Sequence, residues 1–170
     1  MEILRSTALD IPRIMEIIEE ARAFQLSYGN GQWADGYPSR ALIAADAESG
    51  IGYKAVEDGM TIGYLAIAGH DDSYDAIEGE WITDGPYIAL HRIAFAKSVR
   101  GRGLFPVLID KCIAIARERG CASIRVDTDR RNPIMQHLLS KLGFTFTGHV
   151  LFEGDRKLAY ELPVGDIIRP

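Results

Sequence analysis

Arg100-Gly101-Arg102-Gly103-Leu104-Phe105 follows an apolar run, Ile88 to Phe95, and opens a segment with helical spacing. The order reads as strand, glycine turn and helix N-terminus. Two glycines let the backbone approach an anion closely, and the first N–H groups of the helix have no intrahelical acceptor. The helix dipole and two arginines favour negative charge there. The stretch is therefore a candidate phosphate cradle. A plain connecting turn without a ligand is the other reading that these six residues allow.

Downstream, Leu104 to Arg119 reads as a largely buried helix whose polar residues, Asp110, Lys111, Arg117 and Glu118, fall seven apart on one stripe, and Gly120 stops it. Ser123 to Thr128 is a strand. Pro133 to Leu142 is a short helix with Gly143 just past its end, and Phe144 to Val150 is a strand. A last hairpin turns at Glu153-Gly154-Asp155 into a strand from Arg156 to Glu161. Upstream, Glu2 to Ser6 is a strand, followed by a helix in which Ile14, Ile17, Ile18 and Ala21 share one face. Thr7 or Asp10 can cap that helix, and Pro12 is tolerable in its first turn. A loop from Phe24 to Pro38 leads to a second helix, Ser39 to about Glu48. Asp58-Gly59 joins Tyr53–Glu57 to Met60–Ala68 and is a type I′ hairpin signal. Gly69 to Gly85 is polar and acidic, a loop or an irregular edge. No repeat or linker interrupts the chain, so one mixed α/β domain over residues 1–170 is expected.

Hydrophobic residues at 47% and charged residues at 25% exclude wholesale disorder and a disulfide scaffold. A net charge of -5 argues against a nucleic-acid partner, which would select a basic face. Met1 to Ser6 lacks the features of a signal peptide and no apolar run reaches membrane-spanning length, so a cytoplasmic protein with no membrane partner is expected. Cys112 and Cys121 lack metal-ligand spacing and His70, His91, His137 and His149 are scattered, so no metal is expected.

Familiar nucleotide signatures fail. Pro106 stands where a G-x-G-x-x-G turn has its third glycine, and neither G-x-x-x-x-G-K-[S/T] nor G-x-S-x-G occurs. What does occur, from about Leu90 to Phe144, is a strand, an R-x-x-G turn, a helix, a strand, Asn132, and a short helix ending in Lys141-Leu142-Gly143-Phe144. In this order and spacing the chain resembles the GNAT superfamily of N-acetyltransferases. The resemblance implies an α/β (α+β) fold: a mixed, mostly antiparallel sheet with a splayed central strand pair, flanked by about four helices.

It further implies acetyl-CoA as co-substrate. Ile93, Ala94 and Phe95 would lie on the splayed strand that pairs with the pantetheine arm. Arg100, Gly101, Arg102, Gly103, Leu104 and Phe105 would wrap the pyrophosphate through main-chain N–H groups, and Asn132 would hydrogen-bond near the pantetheine. Two departures matter. Phe105 occupies a position given to Gly or Ala, so its ring must point away from the phosphates. Leu139 stands where many relatives place a tyrosine that protonates the departing thiolate. A thiolate of pKa about 8.5 is a tolerable leaving group without that acid. Tyr28, Tyr37 and Tyr87 are alternative acids by residue type.

His91 occupies a strand position where relatives carry a glutamate base, and a neutral imidazole can serve near pH 7. Glu80 and Glu78 are alternative bases, or groups that attract an ammonium substrate. Trp33, Tyr37, Trp81 and Tyr87 are candidates for the acceptor side, where an aromatic face can hold a cation. The resulting expectation is transfer of an acetyl group to a primary amine of a small molecule or peptide, by direct attack in a ternary complex. A non-catalytic acyl-CoA sensor is the alternative, and a structural domain without CoA a third. The C-terminal strand and the tail Pro163 to Pro170 could support a homodimer.

Overall fold

The computed structural model describes residues 1–152 and 154–165. Glu153 of the expected last turn and the end of the expected dimer tail lie outside them. The elements are β1 (Glu2–Arg5), α1 (Ile11–Ser27), α2 (Arg40–Ser49), β2 (Gly52–Glu57), β3 (Met60–Ala68), β4 (Glu78–Gly79), β5 (Tyr87–Phe95), α3 (Leu104–Glu118), β6 (Ser123–Thr128), α4 (Pro133–Lys141), β7 (Thr145–Phe152) and β8 (Asp155–Pro163). Their strand order is β1-β2-β3-β5-β6-β8-β7-β4. The sheet is mixed and mostly antiparallel, with β5 and β6 as a parallel pair, as expected for this fold class.

Two compact units make up the chain. One is Met1–Ile67 with His91–Leu108, the other Ala68–Leu90 with Ile109–Pro170, so the boundaries fall inside β5 and α3. In the first unit α1 buries Ile11, Ile14, Ile17, Ile18 and Ala21, the apolar stripe read from the sequence. This stripe packs with Ile43 of α2, Ala55, Ile62 and Tyr64 of the hairpin, and Ala94 of β5. The Ser39 side chain caps α2 by accepting from the Leu42 N–H at 3.2 Å. Asp58 and Gly59 have φ of 51° and 77°, the two left-handed residues that a type I′ turn demands. Helix α1 runs three residues past the expected start of the loop. No breaker precedes Gly29, and Phe24 and Tyr28, one turn apart, make an edge-on ring pair at 5.4 Å.

In the second unit β8 lies between β6 and β7, and β7 carries the two-residue edge strand β4. Tyr74, Tyr87, Ala89, Val150 and Ala159 form an apolar cluster there. Gly69 to Gly85 forms a short 3-10 turn, Asp72–Tyr74, and the edge strand β4, matching its reading as a loop or irregular edge.

Candidate functional site

The ladder between β5 and β6 is only four residues long. It ends at Leu90 opposite Val126, although β5 continues to Phe95 and β6 to Thr128. Two residues on, Arg92 has φ of 55°, a left-handed conformation that costs a side-chain-bearing residue about 1 to 3 kcal/mol. A buried network holds it. Arg92 Nε and Nη2 donate to the two carboxylate oxygens of Asp46 at 2.9 and 2.8 Å, a fork-to-fork pair. Tyr64 Oη donates to Asp46 Oδ2 at 2.6 Å, and Arg92 Nη1 lies 3.3 Å from Tyr37 Oη. Asp46 is 3% exposed and Tyr64 1%. Burial and the adjoining carboxylate push the Tyr64 hydroxyl far above its ordinary range, so it stays a donor. Behind the same strand, a Cβ at Gly63 would stand 3.0 Å from the Ala94 carbonyl oxygen and 2.9 Å from the Phe95 ring. Only glycine lets β3 lie this close.

After β5 a 3-10 turn, Lys97–Val99, leads to the glycine turn. Gly101 and Gly103 have φ of 81° and 72°, and a Cβ on either would meet nothing within 4 Å. The backbone conformation, not crowding, selects glycine here, and open space adjoins both residues. Phe105 is buried, and Pro106 sits in the first turn of α3, where no helical hydrogen bond is lost. Both arginines are engaged within the protein. Arg100 lies 4.6 Å from the centre of the Phe24 ring and donates to the Phe95 carbonyl at 3.4 Å, while Arg102 pairs with Glu57 at 2.8 Å.

The remaining sequence candidates are distributed between the units. His91 is half-buried on β5 beside Arg92. Trp33 is a core residue of the first unit, with Tyr37 edge-on to it at 6.5 Å. In the second unit Glu78 pairs with Arg156 at 2.6 Å, and the exposed Glu80 donates its N–H to the Thr147 carbonyl. Trp81 and Tyr87 hold an internal cation: the Arg125 guanidinium lies 4.3 and 4.0 Å from their ring centres. Asn132 caps α4, its Oδ1 accepting from the Met135 N–H at 3.1 Å. Leu139 is fully buried.

Sequence reading missed the Asp46–Arg92–Tyr64 network. One signal was available: Asp46 falls three residues after the buried Ile43, on the inward face of α2. The second unit has a network of its own around Glu161, which is 0% exposed. Glu161 accepts from Ser123 and Thr83 at 2.5 and 2.7 Å, from the Ile82 N–H, and from Arg125 Nε at 3.2 Å. Burial alone would raise its pKa. The hydrogen bonds and Arg125 outweigh that and hold it below the ordinary carboxylate value.

Among the described residues, His70, Asp72 and Asp75 bring possible ligand atoms within 4.8 Å of one another, all three side chains exposed. No helix among those residues is long and apolar enough to cross a membrane.

Comparison with solved structures gives an acetyltransferase of the GNAT family from Streptococcus agalactiae 2603. It is 38% identical, with a TM-score of 0.85, covering 95% of this chain and 94% of that one. A GNAT-family acetyltransferase from Listeria monocytogenes 4b F2365 shares the fold at 20% identity and a TM-score of 0.74, covering 95% and 94%. PaiA N-acetyltransferase from Thermoplasma acidophilum, solved in complex with coenzyme A, shares it at 15% and 0.67, covering 95% and 98%. Among proteins of curated function the sequence has no match. The profile of the acetyltransferase (GNAT) family matches residues 14–144, which span the interrupted β5–β6 ladder and the glycine turn, and the chain belongs to that family.

Proposed function

We propose that the protein is an acetyl-CoA-dependent N-acetyltransferase acting on a primary amine by direct attack. The observation that carries this reading is the glycine turn. Two left-handed glycines with open space beside them stand between the end of β5 and the N-terminus of α3. Such a turn fits a pyrophosphate, because main-chain N–H groups and a helix N-terminus can meet its oxygens without a side chain intervening. Arg100 and Arg102 are committed to Phe24, Phe95 and Glu57, so their role is to hold the turn rather than to grip the anion.

Acetyl-CoA supplies the acetyl group as an activated thioester. The protein's part is to orient it and to manage protons. Ile93 to Phe95 are assigned to the pantetheine arm, and N–H donors near Phe95 to polarising the reacting carbonyl. Arg92 fixes the course of this strand, so Asp46 and Tyr64 act as positioning residues for it. His91 takes the proton of the attacking amine. In the second unit Asn132 is assigned to the cofactor and Glu80 to attracting the ammonium form of the acceptor. Glu78 is tied to Arg156 and is the weaker candidate for that role. Leu139, fully buried, supplies no acid, so thiolate leaves unassisted or protonated by water.

The test is thiol release from acetyl-CoA across an amine panel, followed with a thiol-reporting dye. Activity that falls in His91→Ala without loss of CoA binding supports the assignment. CoA binding with no thiol release on any amine would favour the non-catalytic sensor.

A further inference from the structure

The loop between α1 and α2 is anchored from within the first unit. Asn30 is 0% exposed, and its N–H donates to the Gln25 carbonyl at 3.0 Å. Its side chain accepts from the Gln32 N–H and donates to Gln25 Oε1, both at 3.1 Å. From Trp33 onward a single arginine takes over. Arg22 of α1 donates through Nε to the Trp33 carbonyl at 2.8 Å and through Nη2 to the Tyr37 and Pro38 carbonyls at 3.2 and 3.4 Å, while Glu19 holds Nη1. A planar fork reaches these separate carbonyls at once, which the point charge of a lysine does not. Arg22 therefore sets where Tyr37 stands.

Tyr37 stands against the strand that carries the candidate base. Arg92 Nη1 donates to its hydroxyl oxygen at 3.3 Å, and Asp46 takes the other two nitrogens, Nε and Nη2. The loop thus supplies the acceptor that completes the clasp on this guanidinium. The Arg92 side chain is 9% exposed, so an N–H stripped of its acceptor there is costly. Arg92 also has φ of 55°, and a residue with a side chain stays in that conformation only where its surroundings over-determine it. His91 precedes it directly, so the groups that fix the Arg92 backbone also fix the direction in which the imidazole leaves β5. Arg22, Tyr37, Asp46, His91 and Arg92 all belong to the first unit. We propose that Tyr37 is a positioning residue for the transfer, acting through Arg92 on His91, and that Arg22 is the latch of the loop that presents it. The Tyr37 hydroxyl then serves the strand, not the acceptor. The inference rests on the N-acetyltransferase reading for its kinetic consequence, but the link from Tyr37 to His91 does not depend on turnover.

Two conservative variants test it: Tyr37→Phe keeps the ring and loses the hydroxyl, and Arg22→Lys keeps the charge and loses the fork. Thiol release should give a kcat lower by about tenfold in each, with KM for acetyl-CoA within about twofold of the parent. The double variant should lose no more than about twofold beyond the larger single loss, because both changes open one linkage. In a His91→Ala background, Tyr37→Phe should add less than about twofold. Imidazole proton–nitrogen spectra recorded without substrate give a readout independent of turnover. The His91 resonances should shift in both variants, while those of His137 on α4 in the second unit stay in place. A parental kcat in either variant would overturn the part assigned to that residue. Unmoved His91 resonances, or a Tyr37→Phe loss undiminished by His91→Ala, would overturn the positioning role and leave the catalytic reading intact. Shifted His91 resonances in a protein that releases thiol on no amine would keep the clasp and overturn the catalytic reading.

Discussion

Asp46–Arg92 in the first unit and Glu161–Arg125 in the second are both buried ion pairs, at 2.8 and 3.2 Å, yet they are built for different loads. Asp46 spends both oxygens on one guanidinium and adds a single tyrosine, and the arginine it holds is itself in a left-handed backbone conformation on β5. Glu161 gathers donors from two chain segments, Ile82 with Thr83 and Ser123 with Arg125 on β6, while Arg125 is also held by Trp81 and Tyr87. A buried ion pair is weak evidence for net stability, because desolvation offsets the attraction. What differs is the structure each pair constrains. The first constrains the strand assigned to the thioester, and the second ties an acidic loop to the sheet.

The largest effect should come from Glu161→Ala, which strands a buried arginine, two hydroxyls and an N–H. Urea denaturation should show a loss of about 4 to 5 kcal/mol, at the upper end for a broken buried pair. Asp46→Ala strands fewer groups and should cost about 3 to 4 kcal/mol in the same measurement. The two should separate in kinetics. With Asn and Gln replacements that remain folded, Asp46→Asn should lower kcat by about tenfold or more, whereas Glu161→Gln should leave the folded fraction turning over at nearly the parent rate. Equal kinetic losses would erase the distinction.

A smaller effect is expected for Tyr64→Phe, about 1 to 2 kcal/mol for one buried hydrogen bond to a charged acceptor. The pH dependence then sharpens the contrast. The pKa of Glu161 is depressed on folding, so its stabilisation is present above the unfolded glutamate value of about 4.3 and is lost as pH falls through the lower folded value. Denaturation curves taken between pH 7 and pH 2 should therefore lose stability less steeply in Glu161→Gln than in the parent. A slope identical to the parent's would remove Glu161 from the acid response.

The contrast also explains what could be read from sequence. The apolar stripe of α1, the Asp58-Gly59 hairpin and the glycine turn depend on neighbours in the chain, so spacing and turn chemistry reveal them. Helix α1 extends into the stretch whose polar, aromatic composition reads as loop, and Phe24 packs edge-on against Tyr28 there. Asp46 and Arg92 are 46 positions apart, as separations in the chain go, and Glu161 meets Thr83 across 78. No local pattern reports such partners. Arg102 likewise reads as an anion ligand from its place in the turn, and only the fold brings Glu57 to it. The site candidates on β5 and the turn follow from motif order.

The glycine turn is the proposed site for the CoA pyrophosphate. Thermal denaturation with acetyl-CoA at about one hundred times its Kd should stabilise the parent by about 2.7 kcal/mol. Gly103→Val, carried through the same titration, should abolish most of that increment, since a branched residue resists a φ of 72° and fills the open space. No stabilisation of the parent by acetyl-CoA or CoA, or an undiminished increment in Gly103→Val, would contradict it.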